Sequence, residues 1–152
     1  MYRRIHVAVD GSETSLLALD HALALAKDQQ ARVRLVHAIE SVQQLVAFSG
    51  GYPFDAGELL DSLRQEGQQI LARARERAEA AGVKCETALV ETGEASATRA
   101  ATLLVQDAKS WDADLMVLGT HGRRGFDRVL VGSVAESVVR IATLPVLLVR
   151  AR

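Results

Sequence analysis

Apolar and polar residues follow two different patterns along this chain, and together they predict nine secondary-structure elements. Short, nearly continuous apolar runs are typical of strands buried on both faces, whereas apolar residues three or four positions apart mark one face of a helix. The runs predict five strands: Ile5–Val9, Ala31–Ile39, Val83–Val90, Asp114–Leu118 and Pro145–Val149. The spaced residues predict four helices: from about Leu16 to Lys27, Ala56 to Ala81, Ala97 to Asp112, and Ser133 to Ala142.

Strands and helices alternate from the first strand to the last, and this order predicts the fold class. Apolar strands separated by helices indicate a parallel sheet with helices on both faces. Right-handed crossovers make such a sheet open and doubly wound, and its ligands bind at the carboxyl ends of the strands where the strand order reverses. We therefore expect an α/β, Rossmann-like fold, with a site formed by the ends of the first, second and fourth strands.

The segment Gly119–Ser133 joins the predicted fourth strand to the predicted fourth helix, and Gly119, Gly122 and Gly132 space it as G-x2-G-x9-G-S. This spacing is neither that of a Walker A loop nor that of G-x-G-x-x-G. Glycine lets a ligand approach the backbone closely, and the N–H groups at a helix start favour negative charge. Positive charge is added by Arg123, Arg124 and Arg128. The segment is a candidate phosphate cradle; the alternative is a surface loop whose glycines serve only turns.

Composition narrows the class of protein without naming a ligand. The 152 residues, 49% hydrophobic and 24% charged, predict a single globular domain spanning residues 1–152. The net charge of -1 excludes a global positive field for nucleic acid or an anionic membrane. The apolar runs are too short for a membrane span or a signal-peptide core. With a single cysteine, Cys85, we expect a cytoplasmic protein.

Four segments of the chain together resemble the universal stress protein family. Leu115–Gly125 and Val131–Arg140 are similar to its glycine loop, Val7–Ser12 to its first strand and turn, and Pro145–Val149 to its last strand. The likeness covers the whole chain in one register and has the glycine spacing of the family's ATP-binding branch. It implies an adenine nucleotide alpha-hydrolase-like sheet with strand order 3-2-1-4-5. The least familiar segment is Glu40–Asp55, whose role the resemblance does not indicate.

The resemblance implies an adenine nucleotide site, holding ATP, ADP or AMP, with Mg²⁺ bridging the phosphates. Asp10, with Val9 before it, would lie near the adenine or ribose, and Ala38 would face the base through its backbone. The residues implied around the phosphates are Gly119, Gly122, Gly132, Ser133 and Val134, with His121 and Arg123 at the loop edge. Ser133 also suits a cap of the fourth helix. No catalytic residue and no protein ligand for a metal are implied.

The function implied by the resemblance is that of an ATP-binding module that acts as a switch in the stress response, with at most weak ATP hydrolysis. Family members commonly form homodimers through the last strand, and Pro145 suits a strand start or a sheet edge. Two alternatives stay open. One is a slow ATPase or an adenylate-forming enzyme of the same superfamily; the other is a dimeric partner protein that needs no nucleotide.

Several residues outside the glycine segment carry two interpretations each. The Asp10–Ser12 turn suits both a ligand contact and a plain helix cap, and these are compatible. His37 and His121 form a candidate metal or acid–base pair, although packing is the expected role of a lone histidine near a strand end. Cys85 and Trp111 are expected to pack, since no base adjoins the thiol and the indole lies at a helix–strand junction.

Overall fold

The computed structural model describes residues 1–39, 55–91, 99–120 and 132–151, which contain nine regular elements. The strands are β1 (Arg4–Ala8), β2 (Arg32–Ile39), β3 (Cys85–Glu91), β4 (Leu115–Gly119) and β5 (Val146–Val149). The helices in these residues are α1 (Glu13–Gln29), α2 (Ala56–Ala80), α3 (Ala100–Ser110) and α4 (Ser133–Ile141). The elements alternate as the hydrophobic pattern predicts.

All five strands pair in parallel in the order β3-β2-β1-β4-β5, which confirms the expected order 3-2-1-4-5. β1 lies at the centre, between β2 and β4, and the chain reverses its direction of travel across the sheet there. His6 pairs with Arg34 of β2 on one side and with Met116 of β4 on the other. The carboxyl ends of β1 and β4 therefore meet at the reversal point, where ligands bind in open sheets of this kind.

Two hydrophobic cores lie on the two faces of the sheet. Ile5, Val7 and Leu35 pack with α1 and α2, whereas Val36 and Met116 pack with α3 and α4. Successive residues of a strand point to opposite faces, so neighbouring apolar residues such as Leu35 and Val36 enter different cores. This two-sided burial explains why the strands are apolar runs and not alternating patterns.

The ends of the elements follow from local chemistry and shift by up to three residues from the predicted bounds. Ser12 caps α1, since its hydroxyl accepts a hydrogen bond from the Ser15 N–H at 3.2 Å. Gly82, at φ +73°, turns the chain out of α2, as a glycine after a helix commonly does. α3 stops at Ser110 because Asp112 adopts φ +54°, which no helix accommodates. Within the described ranges no helix is long and apolar enough to cross a membrane.

Candidate functional site

The turn after β1 holds Asp10 in place through its own backbone. Oδ1 of Asp10 accepts a hydrogen bond from the Ser12 N–H at 2.9 Å, and Gly11 reaches φ +79° between them. The Asp10 N–H in turn donates to Oγ of Ser15 at 3.3 Å. The turn thus caps α1 and presents Asp10 at the end of the central strand. The structure confirms the helix cap at Ser12, and the ligand contact of Asp10 stays a prediction.

Gly119, the last residue of β4, is a point of close packing against α1. A Cβ at this position would lie 2.8 Å from the carbonyl carbon of Thr14 and 2.9 Å from its oxygen. Real side chains essentially never approach a backbone so closely, so the start of α1 requires a glycine here. The spacing of the glycines suggested only that Gly119 keeps the crevice open. The structure adds that the bare position is what lets α1 approach the end of β4.

Gly132 begins α4 beside the end of β4. Its N–H donates to the carbonyl of Thr120 at 2.5 Å, and its own carbonyl accepts from Glu136 at 2.9 Å. The prediction that Ser133 caps this helix is wrong, because the capping position belongs to Gly132 and Ser133 is the exposed first helical residue. Among the described residues no side chain caps α4. Within the described ranges, the N–H groups of Ser133 and Val134 therefore open the helix without a side-chain acceptor.

Main-chain hydrogen bonds join strand ends at this edge in two pairs, β1 with β2 and β4 with β5. The Val9 N–H donates to the carbonyl of Val36 at 2.9 Å, which brings the end of β1 against β2. The Thr120 N–H donates to the carbonyl of Val149 at 2.8 Å, which ties β4 to β5. The predicted Val9, Asp10 and Ala38 thus lie at the same edge as Gly119 and the start of α4. Three predicted site residues lie outside the described residues: His121, Gly122 and Arg123.

His37 proves to be a packed and hydrogen-bonded residue, as expected. Its Nδ1 donates to the carbonyl of Val9 at 2.7 Å. The ring lies against α2, where a Cβ on Gly67 would come within 2.8 Å of Cδ2 of His37. The proposed pairing with His121 lies outside the described residues. In the described part of the chain, no three His, Cys, Asp or Glu side chains form a group that could hold a metal ion.

A second polar cluster, which the sequence did not predict, crosses the sheet under α3. His6, Arg34 and Glu86 are neighbours in one row of the sheet, on β1, β2 and β3. Asp107 of α3 accepts from Nε2 of His6 at 3.2 Å and from Nε and Nη2 of Arg34, each at 2.9 Å. Glu86 accepts from Nη1 of Arg34 at 3.1 Å and from the Trp111 indole N–H at 2.6 Å. Trp111 therefore packs with its polar atom bonded.

The electrostatics of this cluster favour a charged Asp107. Burial alone would raise the pKa of Asp107, but hydrogen bonds from His6 and Arg34 lower it well below its ordinary value. The same carboxylate raises the pKa of Arg34. His6 is fully buried, and its Nδ1 finds no hydrogen-bond partner within the described ranges. The cluster lies four residues before Asp10 along β1, about 13 Å away at the rise of a strand, so it holds α3 rather than a ligand at the strand ends.

Comparison with known proteins gives a consistent result over the full chain. The model of the universal stress protein family matches residues 1–150. Universal stress protein MJ0531 of Methanocaldococcus jannaschii is 37% identical over 152 residues, 99% of this chain and 83% of that protein. Universal stress protein YxiE of Bacillus subtilis is 34% identical over 154 residues, 99% of this chain and 100% of that protein.

Solved structures share the fold, and some of them hold nucleotides. The structure of the hypothetical protein MJ0577 has a TM-score of 0.80 at 26% identity, covering 100% of this chain and 98% of that one. A universal stress protein in complex with cAMP has a TM-score of 0.69 at 29% identity, covering 97% of each chain. The universal stress protein of Archaeoglobus fulgidus in complex with dAMP has a TM-score of 0.68 at 25% identity, covering 97% of this chain and 98% of that one.

Proposed function

This chain belongs to the universal stress protein family, and on that premise we propose that it binds ATP and acts as a nucleotide-dependent regulatory module in the stress response. The observation that carries the proposal is the start of α4, which no side chain of the described residues caps and which lies at the sheet edge where β1 and β4 end. Helix N–H groups without a side-chain cap attract phosphate, and the helix dipole adds to the attraction. Two relatives of the same fold were solved with the adenine nucleotides cAMP and dAMP.

The choice of glycine at position 132 is an argument for a ligand bound in front of α4. Its φ of -57° is one that any residue adopts, so the backbone conformation does not require glycine. Ser, Asp or Asn would cap the helix better than glycine by about a few tenths of a kcal/mol, so the helix start by itself does not require a glycine here. A phosphate group that approaches the N–H groups of Ser133 and Val134 gives a reason for the missing side chain.

We assign the proposed contacts as follows. Val9 and Asp10 lie near the adenine or ribose, and Ala38 faces the base through its backbone. The proposed phosphate contacts come from Gly119, Gly122, Gly132, Ser133 and Val134, with His121 and Arg123 at the edge. Mg²⁺ enters with the nucleotide, because this ion keeps several waters and is held largely by phosphates. N–H groups and helix dipoles stabilise bound phosphates, and we assign no residue to their cleavage.

The proposed assembly is a homodimer formed through Pro145–Val149. β5 is an edge strand of the sheet, and a free strand edge offers unpaired N–H and C=O groups to a second chain. On the adjoining helix, Val139 and Ile141 are exposed apolar side chains at 52% and 41%. We expect light scattering at micromolar protein to give the mass of two chains. A monomeric mass would contradict this assembly.

A cytoplasmic location is likewise a proposal, and fractionation of cells tests it.

Native mass spectrometry of the purified protein, followed by calorimetric titration with ATP, ADP and AMP, tests nucleotide binding. Gly132→Val should abolish ATP binding and leave the protein folded, because the side chain fills the space before α4. Ala80→Val is the matched control: it adds similar bulk at the end of α2, which precedes β3 and so lies at the opposite edge of the sheet. Normal ATP binding by Gly132→Val would refute the assignment of α4.

The same experiments separate the alternatives. Pyrophosphate release from ATP in the presence of an acceptor would indicate an adenylate-forming enzyme, and steady phosphate release would indicate an ATPase. If ATP, ADP and AMP at millimolar concentration all fail to raise the melting temperature, a partner protein without nucleotide is favoured.

A further inference from the structure

The hydrogen-bond ladder between β1 and β2 ends in an unusual way. The last paired residues are Ala8 and Val36, and the Val9 N–H still donates to the Val36 carbonyl at 2.9 Å. The next bond of a parallel ladder would run from the Ala38 N–H to the carbonyl of Val9. That carbonyl instead accepts from Nδ1 of His37 at 2.7 Å. A side chain thus takes the place of a backbone donor.

The backbone N–H and C=O of Ala38 both point toward β1. In a parallel strand, the N–H and C=O of one residue face the same neighbour, and successive residues alternate between neighbours. Val36 bonds to β1 through its carbonyl, and the Val33 N–H bonds to Lys84 on the β3 side at 3.1 Å. Even-numbered residues of β2 therefore face β1, Ala38 among them. Its donor and acceptor lie at the edge where β1 has already turned away at Asp10.

The position of the His37 ring is fixed from behind by α2 and β3. A Cβ on Gly67 would lie 2.8 Å from Cδ2 of His37 and 2.6 Å from Cδ1 of Leu89. Gly67 is a buried residue of α2, where glycine costs about 1 kcal/mol relative to alanine. The bare position makes room for the imidazole, which is held between α2 and the Val9 carbonyl.

We propose that His37 is a positioning residue that determines base specificity. By occupying the Val9 carbonyl, its Nδ1–H keeps the Ala38 N–H and C=O for a nucleobase. A peptide N–H and C=O side by side match the ring-nitrogen acceptor and the N6 amino donor of adenine. Hypoxanthine carries an N1–H donor and an O6 acceptor in the reverse arrangement, so it is rejected. This role rests on the proposed nucleotide binding, because it assigns the base contact of that same site.

Calorimetric titration with ATP and inosine triphosphate tests the proposal, because the two ligands differ only in this edge of the base. The wild-type protein should prefer ATP. His37→Phe keeps a ring against Gly67 but loses the Nδ1–H donor. The Val9 carbonyl can then accept a hydrogen bond from the Ala38 N–H, which is no longer available to the base. We expect the ATP affinity to fall about tenfold toward that of inosine triphosphate, which should stay unchanged since the triphosphate contacts remain.

Two further variants separate positioning from stability. His37→Asn places an amide N–H near the position of Nδ1 and should restore most of the preference for ATP. His21→Phe makes the same change at an exposed residue of α1 and should leave both affinities unchanged. An unchanged ratio of the ATP and inosine triphosphate affinities in His37→Phe would overturn the proposal.

Amide exchange of the wild-type protein gives a readout that needs no variant. Without nucleotide, the Ala38 amide should exchange much faster than that of Val36 in the same strand, and ATP should protect it. Protection of Ala38 equal to that of Val36 in the nucleotide-free protein would overturn the proposal. Equal binding of ATP and inosine triphosphate by the wild type would do the same while leaving the proposed function intact. Binding of neither ligand would overturn both.

Discussion

The carboxylate of Asp107 holds α3 to two strands of the sheet, β1 through His6 and β2 through Arg34, and its neutralisation is expected to be costly. Asp107→Asn keeps the size of the side chain but removes the charge, and the new amide nitrogen faces donors on Arg34 and His6. Asp107 accepts three hydrogen bonds, and its side chain is only 12% exposed, against 20% for Arg34. The substitution therefore leaves a largely buried guanidinium without its main partner.

The expected loss follows from measurements on buried ion pairs. Removing one member of such a pair costs about 3–5 kcal/mol, because the remaining charge stays desolvated. Arg34 retains Glu86 at 3.1 Å, so we expect the lower end, about 3 kcal/mol. Urea unfolding followed by circular dichroism at pH 7 measures the free energy of unfolding directly.

Asp112→Asn is the matched control for this substitution. The Asp112 side chain is 85% exposed and pairs with Arg4 at 3.3 Å, which is worth little in water. Asparagine also tolerates the φ of +54° at this position. We expect a change within about 0.5 kcal/mol. A loss below about 1 kcal/mol for Asp107→Asn, or one no larger than that of the control, would refute the assigned role of the cluster.

The pH dependence gives an independent check on Asp107. Its pKa is lowered in the folded protein, so the unfolded chain takes up a proton at higher pH than the folded one. The stabilisation is therefore complete above the ordinary pKa of about 4 and is lost as the pH falls below it. The difference in unfolding free energy between wild type and Asp107→Asn should shrink from pH 5 toward pH 2. A difference that stays constant over this range would contradict the lowered pKa.

Two further predictions concern packing and reactivity. Gly119→Ala should lower the free energy of unfolding by about 1–3 kcal/mol, because its Cβ meets the Thr14 backbone at 2.8 Å. Gly57→Ala, at an exposed position of α2 where the Cβ would meet only an Asp55 carboxylate oxygen at 3.1 Å, should not lower the free energy of unfolding in urea; equal losses would contradict the close packing. Burial raises the pKa of the Cys85 thiol, so iodoacetamide at pH 7 should alkylate the folded protein far more slowly than the urea-unfolded chain. Equal rates in the two states would show that Cys85 is accessible and reactive.

Much of the fold was predictable because local periodicity reports burial. The strand β4 is apolar at every position before Gly119, since both of its faces are covered, and α2 shows its buried stripe at Ile70, Leu71, Ala74 and Ala78. The helix ends were less predictable. Ser133 looked like a cap from its residue type, yet the chain enters α4 one residue earlier, at Gly132. Residue type indicates capping ability, whereas the path of the backbone decides which residue occupies the capping position.

The polar contacts were not predictable, because they depend on register between distant parts of the chain. His6 and Asp107 are 101 positions apart, and Arg34 and Asp107 are 73 apart. Polar residues within apolar strands were the available signal: His6 and Arg34 interrupt two buried runs and need partners. That signal states a need for partners but does not say which residues meet it.

The sequence by itself determined the fold class, the alternation of strands and helices, the family and the glycine spacing at the start of α4. These properties depend on residues close together in the sequence, because hydrophobic spacing and turn chemistry act over a few positions. Only the tertiary structure decided that His37 takes the Val9 carbonyl, that Gly67 leaves room for its ring, and that Gly119 admits the start of α1. Each of these depends on distances below 3 Å between elements far apart in the chain. Sheet register and helix packing set such distances, and no local pattern records them.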